Sequence, residues 1–282
     1  MSTGEILLLG AIAGLTIFLG LPVGRLRNLS SETSAFFNAI AAGVLLFLLV
    51  ETLSKSIAPV EDALTHVTTE SGGSWGTFVG RAALFLVCFG VGLLGLVYYE
   101  RWMAKRGSAS VGPGAASVHD FGLVARVSAL SDARRLALFI AIGIGLHNFA
   151  EGLAIGQSAA NDKVSLALLL IIGFGVHNAT EGFGIVAPMA SETERPTWGF
   201  LILLGVIGGG PTFLGTVVGQ AWVSPWLDIA FLALAAGSIL YVVVQLINVG
   251  FKLGHKEMLM WGLFAGLVLG FGTDFVLVAA GA

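Results

Sequence analysis

An all-α, polytopic membrane protein, an eight-transmembrane-helix bundle, is the fold class this sequence predicts, and three observations carry it. Hydrophobic residues make up 56% of the 282 positions and charged residues only 11%, against roughly 25% charge in a soluble domain. With mean hydropathy at +0.92, so much apolar surface cannot be hidden in one water-soluble core. The apolar residues also fall into runs near the ~20 residues a helix needs to cross the hydrocarbon core. These runs are continuous Leu, Ile, Val, Ala and Gly, not the alternation of a membrane barrel, which leaves self-satisfying helices as the spanning element.

The first span, about 5–24, follows Glu5 and closes on Gly20-Leu21-Pro22-Val23-Gly24-Arg25. With no basic leader or small-residue cleavage site, it reads as a retained helix. The second, 36–54, carries Asn38 at its start and Glu51 near its end. Glu61, Asp62, His66 and Glu70 follow in an outer loop, a solvated cluster or else a collector of cations. The third span, 78–99, holds the single Cys88, read as a small apolar packer; one cysteine excludes an internal disulfide and a Cys-rich metal site.

Residues 101–135, opening on Arg101-Trp102-Met103-Ala104-Lys105-Arg106 and rich in Gly, Ser and Pro beyond, read as a flexible cytoplasmic loop between helices three and four, with His119 and Asp120 solvated in it. The remaining spans are 136–159, 164–187, 198–222, 226–250 and 258–280, so that 1–282 forms a single transmembrane domain. Trp75, Trp102, Trp198, Trp222, Trp226 and Trp261 lie near span ends, as interfacial anchors do. Gln157 and Gln220 are ordinary interfacial polar groups. Glu51 and Asp274, at the outer ends of their spans, cap or hydrate a helix end, or gate a path.

Basic residues set the orientation. With the N-terminus outside, the inner loops hold Arg25, Arg27, Arg101, Lys105, Arg106, Arg126, Arg134, Arg135, Arg195, Lys252 and Lys256, leaving Lys55, Arg81 and Lys163 outside. That asymmetry predicts both termini on the extracytoplasmic side of a plasma-membrane protein. Nothing in the charge pattern suggests a nucleic-acid partner; the partners are the lipid bilayer and whatever the polar centre binds.

Two near-copies of one polar string interrupt the apolar spans: His147-Asn148-Phe149-Ala150-Glu151-Gly152 in the fourth and His177-Asn178-Ala179-Thr180-Glu181-Gly182 in the fifth. Ionisable side chains at bilayer depth cost a few kcal/mol each and mark ion or substrate paths. Residues four apart share a helix face, so His147 projects with Glu151, and His177 with Glu181. Only Ala160 to Lys163 connect the spans, which therefore run antiparallel and bring the pairs to one depth. Asn148 and Asn178, about 100° further round, present amide oxygens to an adjoining site or lock the imidazoles.

Two neutral imidazoles and two carboxylates suit a divalent transition metal, Zn²⁺ first, with Fe²⁺, Mn²⁺ or Co²⁺ close behind. A buried His-Glu hydrogen-bonded network that only staples two helices is the structural alternative. Because His must be neutral and Glu ionised to ligate, protons compete with the metal. No cofactor is expected, and the absence of a Gly-x-x-x-x-Gly-Lys-Ser/Thr loop removes the usual sign of ATP use. The forty glycines serve close helix packing, Gly152-x-x-x-Gly156 and Gly205-x-x-x-Gly209 included, or, beside the strings (Gly143, Gly145, Gly152, Gly173, Gly175, Gly182, Gly184), a bend that admits an ion.

On these strings the chain resembles the ZIP (Zrt/Irt-like) family of divalent metal transporters, whose hallmark is a His-Asn/Ser-x-x-Glu-Gly string on helix four and a similar one on helix five. Ala41-Ala42-Gly43-Val44-Leu45-Leu46 and Ala235-Ala236-Gly237-Ser238-Ile239-Leu240-Tyr241 also look like family sequence. The resemblance implies a 3+2+3 helix arrangement, a homodimer and elevator-like transport of zinc, or of iron, manganese, cobalt or cadmium, into the cytoplasm. It further implies a primary metal site of His147, Glu151, His177 and Glu181, with Asn148 and Asn178 at a neighbouring second site. The chain departs from the family at Ala150 and Thr180, where Pro is common, at Gly208-Gly209-Gly210-Pro211-Thr212-Phe213, which lacks a carboxylate, and at Gln245, which replaces an acidic residue. One principal site is therefore expected, in a carrier and not an enzyme. The alternative is a metal-dependent intramembrane hydrolase.

Overall fold

The computed structural model describes residues 2–26, 30–69, 72–107, 127, 130–160, 175, 178–179, 181–221 and 224–279. Among them every regular element is helical. We label these α1 (Thr3–Arg25), α2 (Ser31–Thr68), α3 (Trp75–Gly107), α4 (Asp132–Ala160), α5 (181–186), α6 (Trp198–Gly219), α7 (Pro225–Lys252) and α8 (Lys256–Ala279). Seven of the described helices are long and apolar enough to cross a membrane. The expected fifth span contributes little more than α5, since most of 161–180, including Lys163, His177 and Thr180, lies outside the described residues. So do Arg27, Glu70, Trp222 and the stretch 108–126 with His119 and Asp120.

Local chemistry sets the helix ends. Ser2 and Glu5 form a capping box at α1, Ser30 accepts from the Thr33 amide at α2, and Thr197 accepts from the Phe200 amide at α6. Pro22 opens the tighter 3-10 turn Leu21–Arg25 that ends α1, and Pro225 occupies the first turn of α7, where the missing N–H costs nothing. Gly254, with φ 81°, makes the left-handed turn between α7 and α8 that a side chain would resist.

Three helices outrun their apolar runs. α2 spans 38 residues, about 57 Å at 1.5 Å per residue, nearly twice the ~30 Å hydrocarbon core. Glu61, Asp62 and His66, expected in a loop, therefore ride on the projecting turns of α2. The helix passes through Pro59, whose carbonyl accepts from Arg81 Nη1 at 2.8 Å. Likewise α3 continues to Gly107 and α4 begins at Asp132, so both ends of the expected 101–135 loop are helical. Arg101, Lys105 and Arg106 thus belong to the last turns of α3.

The helices pack as two groups. In one, α6 lies along α4 and α1; in the other, α8 lies along α2, and α7 along α2 and α3. Within each group the backbones touch through glycine. Methyl groups added at Gly145, Gly152, Gly156, Gly215 or Gly219 would strike backbone carbonyls across the α4–α6 seam. The same holds at Gly14 and Gly209 between α1 and α6, at Gly20 and Gly182 between α1 and the fifth span, at Gly43 and Gly266 between α2 and α8, and at Gly92 and Gly237 between α3 and α7. Close packing thus accounts for Gly145, Gly152 and Gly182 beside the polar strings.

Between the groups α4 also packs along α7, and α2 touches the Ala187–Ser191 turn, at the two glycines there through ordinary side-chain contacts. A methyl at Gly143 would stand 3.4 Å from Ser238 Oγ, and one at Gly184 would stand 3.9 Å from Ala41 Cβ, both ordinary contacts. Aromatic pairs cover this boundary: Phe139 with Tyr241, Phe149 with Phe231, and Phe37 with Phe183. Outward faces of α3, α6 and α8 expose large apolar side chains such as Leu86, Val206 and Phe264, suited to lipid.

Candidate metal centre

The polar residues of the α4 string face the buried side of that helix, with Leu146, Phe149 and Ala150 half-buried beside them. His147 is 1% exposed, Asn148 0% and Glu151 5%. The 3.6-residue repeat stacks His147 over Glu151, with Nε2 3.2 Å from Oε1. The other ring nitrogen, Nδ1, lies 3.0 Å from Thr52 Oγ1 of α2. A hydroxyl both donates and accepts, so it serves either imidazole tautomer; when Nδ1–H donates to it, the ring's lone pair is on Nε2, beside the Glu151 carboxylate.

From the fifth span, Asn178 and Glu181 are fully buried. Asn148 Nδ2 donates to Glu181 Oε2 at 3.0 Å and to the Gly208 carbonyl of α6 at 3.0 Å. The Asn148–Glu181 bond joins the two strings directly. Asn178 Nδ2 donates to the Ala13 carbonyl of α1 at 3.0 Å. Among the described residues neither asparagine bonds to an imidazole: Asn148 donates to the Glu181 carboxylate, and Asn178 ties the fifth span to α1. Among the described residues, Asn148 Oδ1, Asn178 Oδ1 and Thr212 Oγ1 are buried with no hydrogen-bond partner.

Among the described residues no three His, Cys, Asp or Glu side chains group closely enough to hold a metal ion. The fourth expected ligand, His177, lies outside those residues. Of the other expected polar positions, Glu51 pairs with Lys55 one turn on, and Asn38 Nδ2 donates to the Leu246 carbonyl, joining α2 to α7. The sequence reading missed Thr52. Its signal was a pair of hydroxyls four residues apart, Thr52 and Ser56, where α2 runs into the core; both are fully buried.

One end of the bundle collects basic residues. Arg134 Nε donates to Glu192 Oε2 at 3.0 Å, holding the α5–α6 connection to α4. Arg25 donates to the Pro196 carbonyl and lies 4.7 Å from the centre of the Trp198 ring. A cavity of about 360 Å³ at this end is lined by Arg135, Phe139, Tyr241, Gln245, Asn248 and Lys252, among others. Tyr241, Gln245, Asn248 and Lys252 recur at helical spacing on one face of α7. Phe139 lies two turns of α4 before His147, about 12 Å along the axis.

Long apolar helices around a buried imidazole and carboxylates define a multi-pass integral membrane protein with an ionisable centre. The chain belongs to the ZIP family: the ZIP zinc transporter model matches residues 118–277, more than half of it. It is also 29% identical over 155 residues to the zinc transporter ZupT of Lysinibacillus sphaericus (strain C3-41), a match covering 50% of this chain and 50% of that protein. The match thus spans about half the length of that relative.

Proposed function

We propose that this protein carries divalent transition-metal cations, zinc foremost, across the plasma membrane toward the cytoplasm. The buried His147–Glu151 pair carries the reading, set beside Glu181 in a chain of the ZIP family. Burying these groups is costly unless they are paired or bind a cation. His147, Glu151 and Glu181, with His177, hold the ion; Asn148 and Asn178 supply amide oxygens next to it. The neutral lining around Thr212 supports one principal ion over two. ZIP membership favours this carrier over a metal-dependent hydrolase.

Movement follows from the two groups. Glycine seams make each group stiff, whereas the ring-lined boundary between them lets one slide past the other, which supports alternating access by displacement of α1 and α4 to α6 against α2, α3, α7 and α8. The cavity beside α7 serves as the vestibule on the basic, cytoplasmic side. A homodimer in the bilayer, with both termini outside, completes the proposal.

The test is zinc uptake into proteoliposomes by the wild type and by Glu151→Ala. Uptake in the wild type that falls to the protein-free level in the variant supports the assignment. Equal flux in both removes it, and metal-dependent cleavage of a peptide without ion movement replaces it with a hydrolase.

A further inference from the structure

The two helix groups are each tied internally by side-chain hydrogen bonds. Asn38 joins α2 to α7, Arg81 joins α3 to α2, Asn148 joins α4 to α6, and Asn178 joins the fifth span to α1. A side-chain hydrogen bond also crosses from group to group: Thr52 Oγ1 of α2 lies 3.0 Å from His147 Nδ1 of α4. Both residues are buried, so water does not compete for either partner. The crossing bond ends on the imidazole that faces Glu151.

We propose that Thr52 is a positioning residue through which the α2 group controls how firmly His147 holds the cargo ion. With the groups aligned as here, the Thr52 hydroxyl fixes the imidazole plane and keeps Nε2 directed at Glu151. Displacement of one group against the other carries Thr52 away from Nδ1, the ring regains rotation about its side-chain bonds, and the ion loses an oriented ligand. Ion affinity then falls as the site changes sides, which assists release. This inference rests on the transport reading above.

Thr52→Val keeps the side-chain shape and removes the hydroxyl, whereas Thr52→Ser keeps the hydroxyl. The readouts are Co²⁺ binding to the purified full-length protein, followed by visible absorption, and the concentration dependence of zinc uptake in proteoliposomes. Loss of a hydrogen-bond partner behind a ligating histidine weakens metal binding about 10- to 100-fold. Thr52→Val is expected to raise the Co²⁺ dissociation constant and the KM for zinc by at least about tenfold, with maximal flux within about twofold of wild type. Thr52→Ser restores both. Unchanged Co²⁺ affinity and KM in Thr52→Val overturn the proposal, and so does equal impairment in Thr52→Ser, which marks a packing role. If Thr52→Val does not purify as a monodisperse protein, Thr52→Ala takes its place with the same criteria.

Dependence on alignment has its own test. The Cβ position of Gly143 lies 3.5 Å from Ser238 Cβ, within reach of the ~3.8 Å that disulfides favour. A Gly143→Cys, Ser238→Cys, Cys88→Ala protein, oxidised, should bind Co²⁺ with wild-type affinity yet move no zinc until reduced. Undiminished zinc flux in the oxidised protein overturns the alignment dependence. A wild type that neither binds Co²⁺ nor moves zinc overturns the transport reading itself, and this inference with it.

Discussion

The glycine seam between α4 and α6 makes a demanding prediction at Gly215. A methyl carbon there would lie 2.0 Å from the Phe149 carbonyl oxygen and 3.0 Å from the Leu153 nitrogen. Ordinary contact requires roughly 3.5 Å, so Gly215→Ala must part the helices by about 1.5 Å at that point. Both colliding atoms are backbone, and no rotamer change relieves them. Overpacking costs about 1–3 kcal/mol, and this site belongs at the upper end. With 1.36 kcal/mol per factor of ten, 3 kcal/mol is roughly a hundredfold in the folded-to-unfolded ratio. A drop of roughly 5–10 °C in melting temperature is expected, read by tryptophan fluorescence of the purified protein. Phe149 lies two residues from both His147 and Glu151, so the displacement reaches the centre and zinc flux should fall at least tenfold. Gly90→Ala is the control, because a methyl there meets nothing within 4 Å and alanine gains up to about 1 kcal/mol of helix propensity. A Gly215→Ala protein that melts within about 2 °C of wild type and transports like Gly90→Ala would refute the reasoning.

Asn148→Ala removes the donor to Glu181 Oε2 and to the Gly208 carbonyl; hydrogen bonds to charged groups are worth about 1.5–3 kcal/mol, so zinc affinity measured by competition with Co²⁺ should change by roughly tenfold or more, and an unchanged affinity counts against a role for Glu181. Asn38→Leu strips the bond to the Leu246 carbonyl and should lower thermal stability by about 1–2 kcal/mol while leaving the KM for zinc unaltered, as uptake kinetics will check. Arg134→Ala breaks the pair with Glu192, whose partners are 24% and 15% exposed; a loss of about 1 kcal/mol should appear as a small, salt-sensitive fall in melting temperature.

Much of the architecture is legible from residue order because its causes are local. Apolar runs of membrane-crossing length must become helices in lipid, since no other open backbone arrangement satisfies its own N–H and C=O groups there. The His147–Glu151 pairing is equally local, following from 3.6 residues per turn. Helix length was less legible. Hydropathy marks where a chain enters lipid, not where its helix stops, and α2 continues through Pro59 to Thr68 with Arg81 of α3 bonded to the Pro59 carbonyl and Ala63 buried.

What pairs with what across the bundle is a different matter. The hydroxyl that holds His147 comes from Thr52, 95 positions earlier, and Asn148 turns toward Glu181 and Gly208 instead of an imidazole. Forty glycines announce close packing, yet composition does not say that Gly152 meets Thr212 while Gly143 merely faces Ser238. Periodicity along one helix states which side chains share a face. Hydrogen-bond partners and backbone approach depend on how separate helices are placed to within an ångström, and that placement exists only once they have packed together.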